Sequence, residues 1–421
     1  MLGVIRIIGV ALLSALLGGC TVPRLPAPRS IYGTAIPAGF PPSIRQLSRD
    51  LRAVDAQMPT LLDNLRHTAP DGVLQVLAIS GGGAAGAFGA GALVGLTERG
   101  ERPRFQLVTG VSTGALLAPF AFLGPAWDRE LTAAFSGEST IRLLQSRGLA
   151  ALFRPGLYQS APLVAVVDRF VTPELVSAVA EEARGGRKLL IATTDLDKQE
   201  AVIWDLGLVA EQGGERARRL FRDLLVASAT IPGVFPPVLI HVQDRAGHRY
   251  DEMHVDGGTS TPFFIAPEAV FAARVDPRQL TGAKVYVLIN GQLVGPPSTT
   301  PDRTLPILGR SLSAVSRYSS RSALEAVDEF AKRTGMSLHF TSIPGSYPEV
   351  GVLDFRRDSM QSLFRLGERC AAHGQLWTTL EQAAAQGERD GAEAAGPLNS
   401  GADPDGECPV EDSALSTSGP R

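Results

Sequence analysis

The chain has 421 residues, 44% hydrophobic and 20% charged, so it carries enough apolar material for a sizeable core and is not a wholly disordered protein. Forty basic residues against 43 acidic ones leave a formal net charge of −3, a balance that offers no broad basic field to nucleic acid. The three cysteines, Cys20, Cys370 and Cys408, are too few and too widely spaced for a disulfide-built fold or a cysteine zinc cluster.

Near the start of the chain one positive charge, Arg6, is followed by an apolar stretch from Ile7 to Leu17. That is the build of a secretory signal peptide over residues 1–19. No later apolar run reaches the ~18 residues of a membrane-spanning helix. The ending Leu17-Gly18-Gly19-Cys20 resembles a bacterial lipobox, in which the Cys20 thiol receives a diacylglyceryl group. More than one acyl chain there makes a stable membrane anchor. Thr21 follows instead of Asp, which by likeness to enterobacterial sorting leads us to expect a lipid-anchored, periplasm-facing protein of the cell envelope, at the outer membrane. In that oxidising compartment Cys370 and Cys408 have the opportunity to pair, and the sequence leaves the pairing open.

Residues 20–42 carry Pro23, Pro26, Pro28, Pro37, Pro41 and Pro42, and read as a stiff, extended tether behind the lipidated cysteine. Residues 43–70 read as an amphipathic helical segment broken near Pro59. From 71 to 345 the pattern is that of a folded body. Strand-like apolar runs at 73–80, 105–111, 188–196, 201–206, 284–291 and 336–343 alternate with helical patterns at 85–100, 112–124, 215–229 and 311–333. Such alternation predicts a three-layer α/β/α sandwich with a mostly parallel central sheet. Residues 346–386 read as a C-terminal helical extension. Residues 387–421, with Glu393, Asp403, Asp405, Glu407, Glu411 and Asp412 among many Gly, Pro and Ser, read as a disordered acidic tail.

Three motifs carry chemistry. Gly110-Val111-Ser112-Thr113-Gly114 joins a strand pattern to a helix pattern, the context of a nucleophile elbow. The sharp turn forces the serine into strained dihedrals, and side chains at Gly110 or Gly114 would collide. The helix N-terminus behind Ser112 favours developing negative charge. Second, Gly81-Gly82-Gly83-Ala84-Ala85-Gly86 follows the strand at 73–80, and bare glycine amides can face an anion. It fits an oxyanion hole for an acyl intermediate. It also fits a dinucleotide fingerprint through Gly81, Gly83 and Gly86, but the next strand ends in Thr109-Gly110-Val111-Ser112 without the carboxylate that fingerprint wants. Helix–strand packing through Gly86, Gly89 and Gly91 is compatible with either. Third, Asp256-Gly257-Gly258 offers a base for the serine hydroxyl.

In this order the three motifs resemble those of the patatin-like phospholipase family. Ala227-Ser228-Ala229-Thr230-Ile231-Pro232-Gly233-Val234-Phe235-Pro236-Pro237 adds a fourth likeness, to the stretch before the family aspartate. The resemblance implies a patatin-like α/β sandwich and a cofactor-free hydrolysis of lipid acyl esters of the phospholipase A or lysophospholipase type. It makes Ser112 the nucleophile and Asp256 the base, with Gly81, Gly82 and Gly83 as the oxyanion hole and Gly110 and Gly114 as the elbow. The family loop often carries Arg or Lys where this chain has Ala85, which weakens any reading of a phosphate held there. Pro119 predicts an irregular helix after Ser112.

Other assignments remain open on residues alone. A Ser–Asp–His esterase could draw on Asp195 with His254, or Asp256 with His339, although none of His67, His241, His248, His254, His339 and His373 sits in a recognisable loop motif. Asp195 and Asp197 follow a strand, where aspartates more often cap turns than hold metal, so no metal is expected. A non-catalytic lipid-binding or scaffold lipoprotein is the other class to weigh. The expected partners are a lipid ester and, through Cys20, a membrane.

Overall fold

Aliphatic runs such as Gln75-Val76-Leu77-Ala78-Ile79 are placed by a computed structural model into one mixed sheet of ten strands. It describes residues 24–137, 143–148, 155–272, 276–295, 299–349, 351–384 and 408. The signal peptide, Cys20 and the acidic tail apart from Cys408 lie outside the described residues.

In chain order the strands are β1 (Ile36–Pro37), β2 (Arg45–Leu47), β3 (Gln75–Ile79), β4 (Leu107–Val111), β5 (Lys188–Asp195), β6 (Glu200–Asp205), β7 (Val238–Gln243), β8 (Arg249–Asp256), β9 (Lys284–Ile289) and β10 (Ser337–Ser342). Five of them, in the order β5-β4-β3-β9-β10, are parallel neighbours. The antiparallel strands β6, β7 and β8 gather on the β5 side, with β1 added to β7 and β2 to β6. A strand covered on both faces reads as a continuous apolar run, and all five residues of β4 are buried.

The helices are α1 (Leu51–His67), α2 (Gly86–Glu98), α3 (Thr113–Leu123), α4 (Asp128–Phe135), α5 (Ala161–Phe170), α6 (Pro173–Arg184), α7 (Leu206–Glu211), α8 (Gly214–Ser228), α9 (Glu268–Ala272), α10 (Thr304–Thr334) and α11 (Arg357–Ala372). Alternation along the strands sorts them into two layers. Leu77, Ile79 and Val108 pack into one core with Phe88 and Leu93 of α2, Leu117 of α3 and Leu363 of α11. Val76, Ala78 and Leu107 face the other way, into a core with Leu65 of α1 and Leu324, Val327 and Phe330 of α10. The architecture is thus the expected α/β/α sandwich, with a parallel block running from β5 to the β10 edge and an antiparallel flank on the other side of β5.

Three expectations need correction. Residues 24–42 do not form a tether. Ala27, Ala35 and Phe40 are buried, β1 pairs with β7, and Ile44 is fully enclosed. Pro28 and Pro41 take extended backbone between short turns such as Arg29–Ile31, and a strap of this kind with apolar side chains fits a sheet flank as well as it fits water. Residues 43–70 are not helical throughout, because β2 precedes the helix, and α1 then runs from Leu51 to His67 without a break at Pro59. The extension expected over 346–386 is helical only in part: α11 runs from Arg357 to Ala372, where His373 and a left-handed Gly374 stop it, and helix resumes over 380–384. Residues 351–356 lie in a loop against the glycine-rich segment, where Val352 O accepts the Ala84 N–H at 3.0 Å.

Candidate active site

The sheet register explains how residues 144 positions apart meet. β4 pairs with β5 up to Val111, opposite Ala192, and β8 pairs with β5 from Asp256, opposite Thr193. β6 occupies the other edge of β5 over Leu190–Asp195. β4 and β8 therefore share one edge of β5, tip to tip, with Val111 and Asp256 on consecutive rungs. A Cβ on Gly257 would lie 2.4 Å from Ala192 O and 3.1 Å from Val111 Cγ1, so the two tips are in close contact.

Ser112 leaves β4 at that junction. Its φ of 56° and ψ of −126° place a non-glycine residue in a strained region, as the elbow requires. The flanking glycines let the turn close, since a Cβ on Gly110 would meet Gly114 O at 2.5 Å and one on Gly114 would meet Ile79 O at 2.3 Å. The Ser112 N–H donates to Ser228 Oγ at 3.0 Å, and Ser228 Oγ donates to Ala192 O at 2.7 Å. α3 starts at once behind the serine and contains Pro119, which lacks the N–H that would bond Ala115 O.

The Ser112 hydroxyl donates to Asp256 Oδ2 at 2.5 Å. The other carboxylate oxygen accepts the Gly258 N–H at 2.7 Å, and the Asp256 N–H donates to Thr230 O at 2.9 Å. Asp256 is only 5% exposed. Burial pushes its carboxyl up to about 6, against the opposing pull of the Ser112 hydroxyl and the Gly258 N–H. A carboxyl so tuned can take a proton near neutral pH.

The glycine loop lies alongside, with an ideal Cβ on Gly81 only 2.9 Å from Ser112 Cβ. Its three expected donors are not equivalent. The Gly81 N–H donates to Pro262 O at 3.3 Å, which takes it away from an incoming oxyanion. Among the described residues, the Gly82 and Gly83 N–H groups have no hydrogen-bond acceptor. The loop backs onto Asn290, whose backbone O would sit 1.9 Å from a Cβ on Gly82. Asn290 pins the segment, donating from its backbone to Ser80 Oγ at 2.9 Å and from Nδ2 to Ser80 O at 2.9 Å, while Oδ1 accepts the Gly89 N–H at 3.1 Å. Asn290 escaped the sequence reading, for nothing marks one polar residue after an apolar strand as the support of a loop 200 positions earlier. Ser228 did carry a signal, inside the Ala227 to Pro237 stretch that resembles the one before the family aspartate.

From Ser112 and Gly83 a cavity runs into the body between apolar side chains, among them Leu116, Phe120, Val167 and Phe235. Phe355, from the loop before α11, lines it as well.

His254 lies elsewhere. It is fully buried, with Nδ1 2.9 Å from Thr193 Oγ1 and Nε2 3.4 Å from Glu252 Oε2. Burial holds its pKa below the usual histidine value despite Glu252 and Asp195 nearby. Its ring nitrogens thus face Thr193 and Glu252, not Ser112. Asp195, Glu252 and His254 also form the one group of metal-ligand type among the described residues. The carboxylates in it already hold cations: Lys198 Nζ lies 3.0 Å from Asp195 and 2.6 Å from Glu252, and Arg45 pairs with Glu252. Burial alone would raise the Glu252 pKa, yet His254, Arg45 and Lys198 together hold it well below the carboxylate range. Asp195 Oδ1 accepts the Asp197 and Lys198 N–H groups, the turn-capping role expected of it. His339 is half-buried on β10 and stacks on Tyr286.

No curated protein matches the chain. Among solved structures, VipD from Legionella pneumophila aligns with a TM-score of 0.35 and 12% identity, over 72% of this chain and 67% of its own. The family model described as patatin-like phospholipase, a lipid acyl hydrolase family, matches residues 77–267, the stretch that holds the glycine loop, Ser112 and Asp256.

Proposed function

We propose that the protein is a serine hydrolase that cleaves lipid acyl esters through a Ser112–Asp256 dyad. The observation that carries this reading is the 2.5 Å hydrogen bond from a strained serine to a buried carboxylate at the head of an apolar cavity. Asp256 takes the Ser112 proton as Oγ attacks the ester carbonyl. The negative charge that develops on the carbonyl oxygen meets the free Gly82 and Gly83 N–H groups, and the alcohol leaves with the proton. Water then attacks the acyl-enzyme, Asp256 accepts its proton and passes it to Ser112 Oγ as the acyl–Oγ bond breaks, and the fatty acid is released. The apolar cavity would take the acyl chain. We further propose, from the lipobox resemblance, that an acylated Cys20 anchors the protein in the cell envelope.

The test is covalent labelling by a fluorophosphonate with a lipid-ester hydrolysis panel. We expect the label on Ser112, and we expect Ser112→Ala and Asp256→Asn each to lower hydrolysis by at least ~10³-fold while the protein stays folded. An unlabelled Ser112 in folded protein would favour a scaffold or lipid-binding role. Full activity in Asp256→Asn would remove the dyad.

A further inference from the structure

The first two-thirds of α10 have an unusual build for a helix of a globular domain. Ile307, Leu308, Leu312, Val315 and Tyr318 are all exposed, Val315 and Tyr318 to 66% each. At about 100° per residue these five fall within an arc of about 140°. The buried contacts of α10, through Leu324, Val327 and Phe330, belong to its second half. From Arg303 to Leu324 the sequence holds Arg303, Arg310, Arg317 and Arg321 and no acid. On the same wheel the four arginines fall together within about 40°, along one edge of the apolar arc. A helix with an apolar face bordered by arginines is the build of a segment that lies in a bilayer interface.

This face is joined to the candidate site. Glu349 accepts from Arg317 at 2.9 Å and also pairs with Arg310. Three residues further on, Val352 is exposed, and its carbonyl packs on the glycine loop, 2.1 Å from where a Cβ on Gly83 would stand. Phe355, next in the same loop, lines the apolar cavity. Exposed Val294 extends the patch, with Arg317 packed on the adjoining Gly295.

We propose that this face of α10 docks the protein on an anionic phospholipid surface, with the mouth of the Ser112 cavity turned toward the lipid. The apolar arc enters the acyl boundary, and Arg303 and Arg321, with the positive charge that remains where Arg310 and Arg317 share the single Glu349, meet lipid phosphates. Only the orientation of the mouth rests on the hydrolase reading; the docking itself does not.

The experiment measures amide hydrogen exchange on the full chain carrying Ser112→Ala, so that no lipid is consumed. Vesicles of phosphatidylglycerol are compared with vesicles of phosphatidylcholine and with buffer. We expect exchange across residues 304–318 to slow at least tenfold on phosphatidylglycerol only, and Leu312→Glu with Val315→Glu to restore the rate in buffer. Location-specific exchange is read because an acyl anchor on Cys20 would hold the protein on any vesicle. Unchanged exchange at 304–318 on phosphatidylglycerol overturns the proposal. So does equal slowing on phosphatidylcholine, which removes the role of charge, and so does slowing that follows protein concentration without vesicles, which gives the face to a second copy. Protection of α10 in a protein whose Ser112 takes no fluorophosphonate would leave the docking standing and the hydrolase reading fallen.

Discussion

A carboxyl raised to about 6 by burial has two consequences of opposite sign for Asp256. As a base it must be ionised, so ester turnover should climb with pH through about 6 and then level off. For stability the folded state binds the proton more tightly than the unfolded chain does. The stabilisation from protonated Asp256 is therefore complete below about 4 and lost as pH rises through about 6, on the order of 2–3 kcal/mol in all. Asp256→Asn keeps an acceptor for the Gly258 N–H and carries no charge. Its melting temperature should draw ahead of the wild type between pH 4 and pH 8; a constant difference across that range would show that Asp256 titrates normally. The elbow and glycine loop were legible because backbone geometry restricts which residues can stand there, and a restriction of that kind is written locally. Asp256 was legible only by resemblance, since a lone Asp-Gly-Gly is an ordinary turn. That the Gly81 amide is committed to Pro262 follows from a contact across 181 positions, which no local pattern records.

Among elements, periodicity located the buried strands well and the amphipathic surface helices less well. β3, β4 and β9 are largely apolar runs and β5 has an apolar core at Leu189–Ala192, while α5 and α6 mix charge into short helices that the pattern does not single out. Of the antiparallel flank, β7 and β8 were hidden because they carry Gln243, Arg249, Asp251 and Glu252, which look like loop residues until Arg45 and Lys198 are seen beside Glu252. The glycines of α2 announced close packing, expected against a strand; Gly89 does pack on Leu288 of β9, but the partner of Gly91 is α11. A Cβ on Gly91 would stand 1.9 Å from Phe364 O, and one on Gly367 would stand 2.1 Å from Phe88 O. Backbone meets backbone there, and neither helix can yield by turning a side chain. Gly367→Val should lower stability by at least ~2–3 kcal/mol, read from the urea midpoint. An unchanged midpoint would mean that α11 docks otherwise.

For the molecule as a whole, residues 24–44 and Cys408 are held more firmly than the composition around them suggests. Composition reports average solubility, and a few well-placed contacts override it. Cys408, in a stretch rich in acids and glycine, is disulfide-bonded to Cys370 at the buried face of α11. Closing that loop should contribute ~2–4 kcal/mol. Cys408→Ser should melt earlier than the wild type, and reductant should bring the wild type down to the variant; a wild type indifferent to reductant would contradict the bond. At the other end the strap is locked by Arg45 within the Glu252 group, with its guanidinium 5.3 Å over the Trp204 ring.

The lock on the strap reaches beyond stability. Arg24 already pairs with Asp197, so an acyl group on Cys20 would be separated from fixed backbone by only four peptide links, about 14 Å at full stretch. A leash that brief leaves little freedom to roam. The globule would pivot against the leaflet like a plate on a short hinge, sampling few orientations before one of its faces settles on the headgroups.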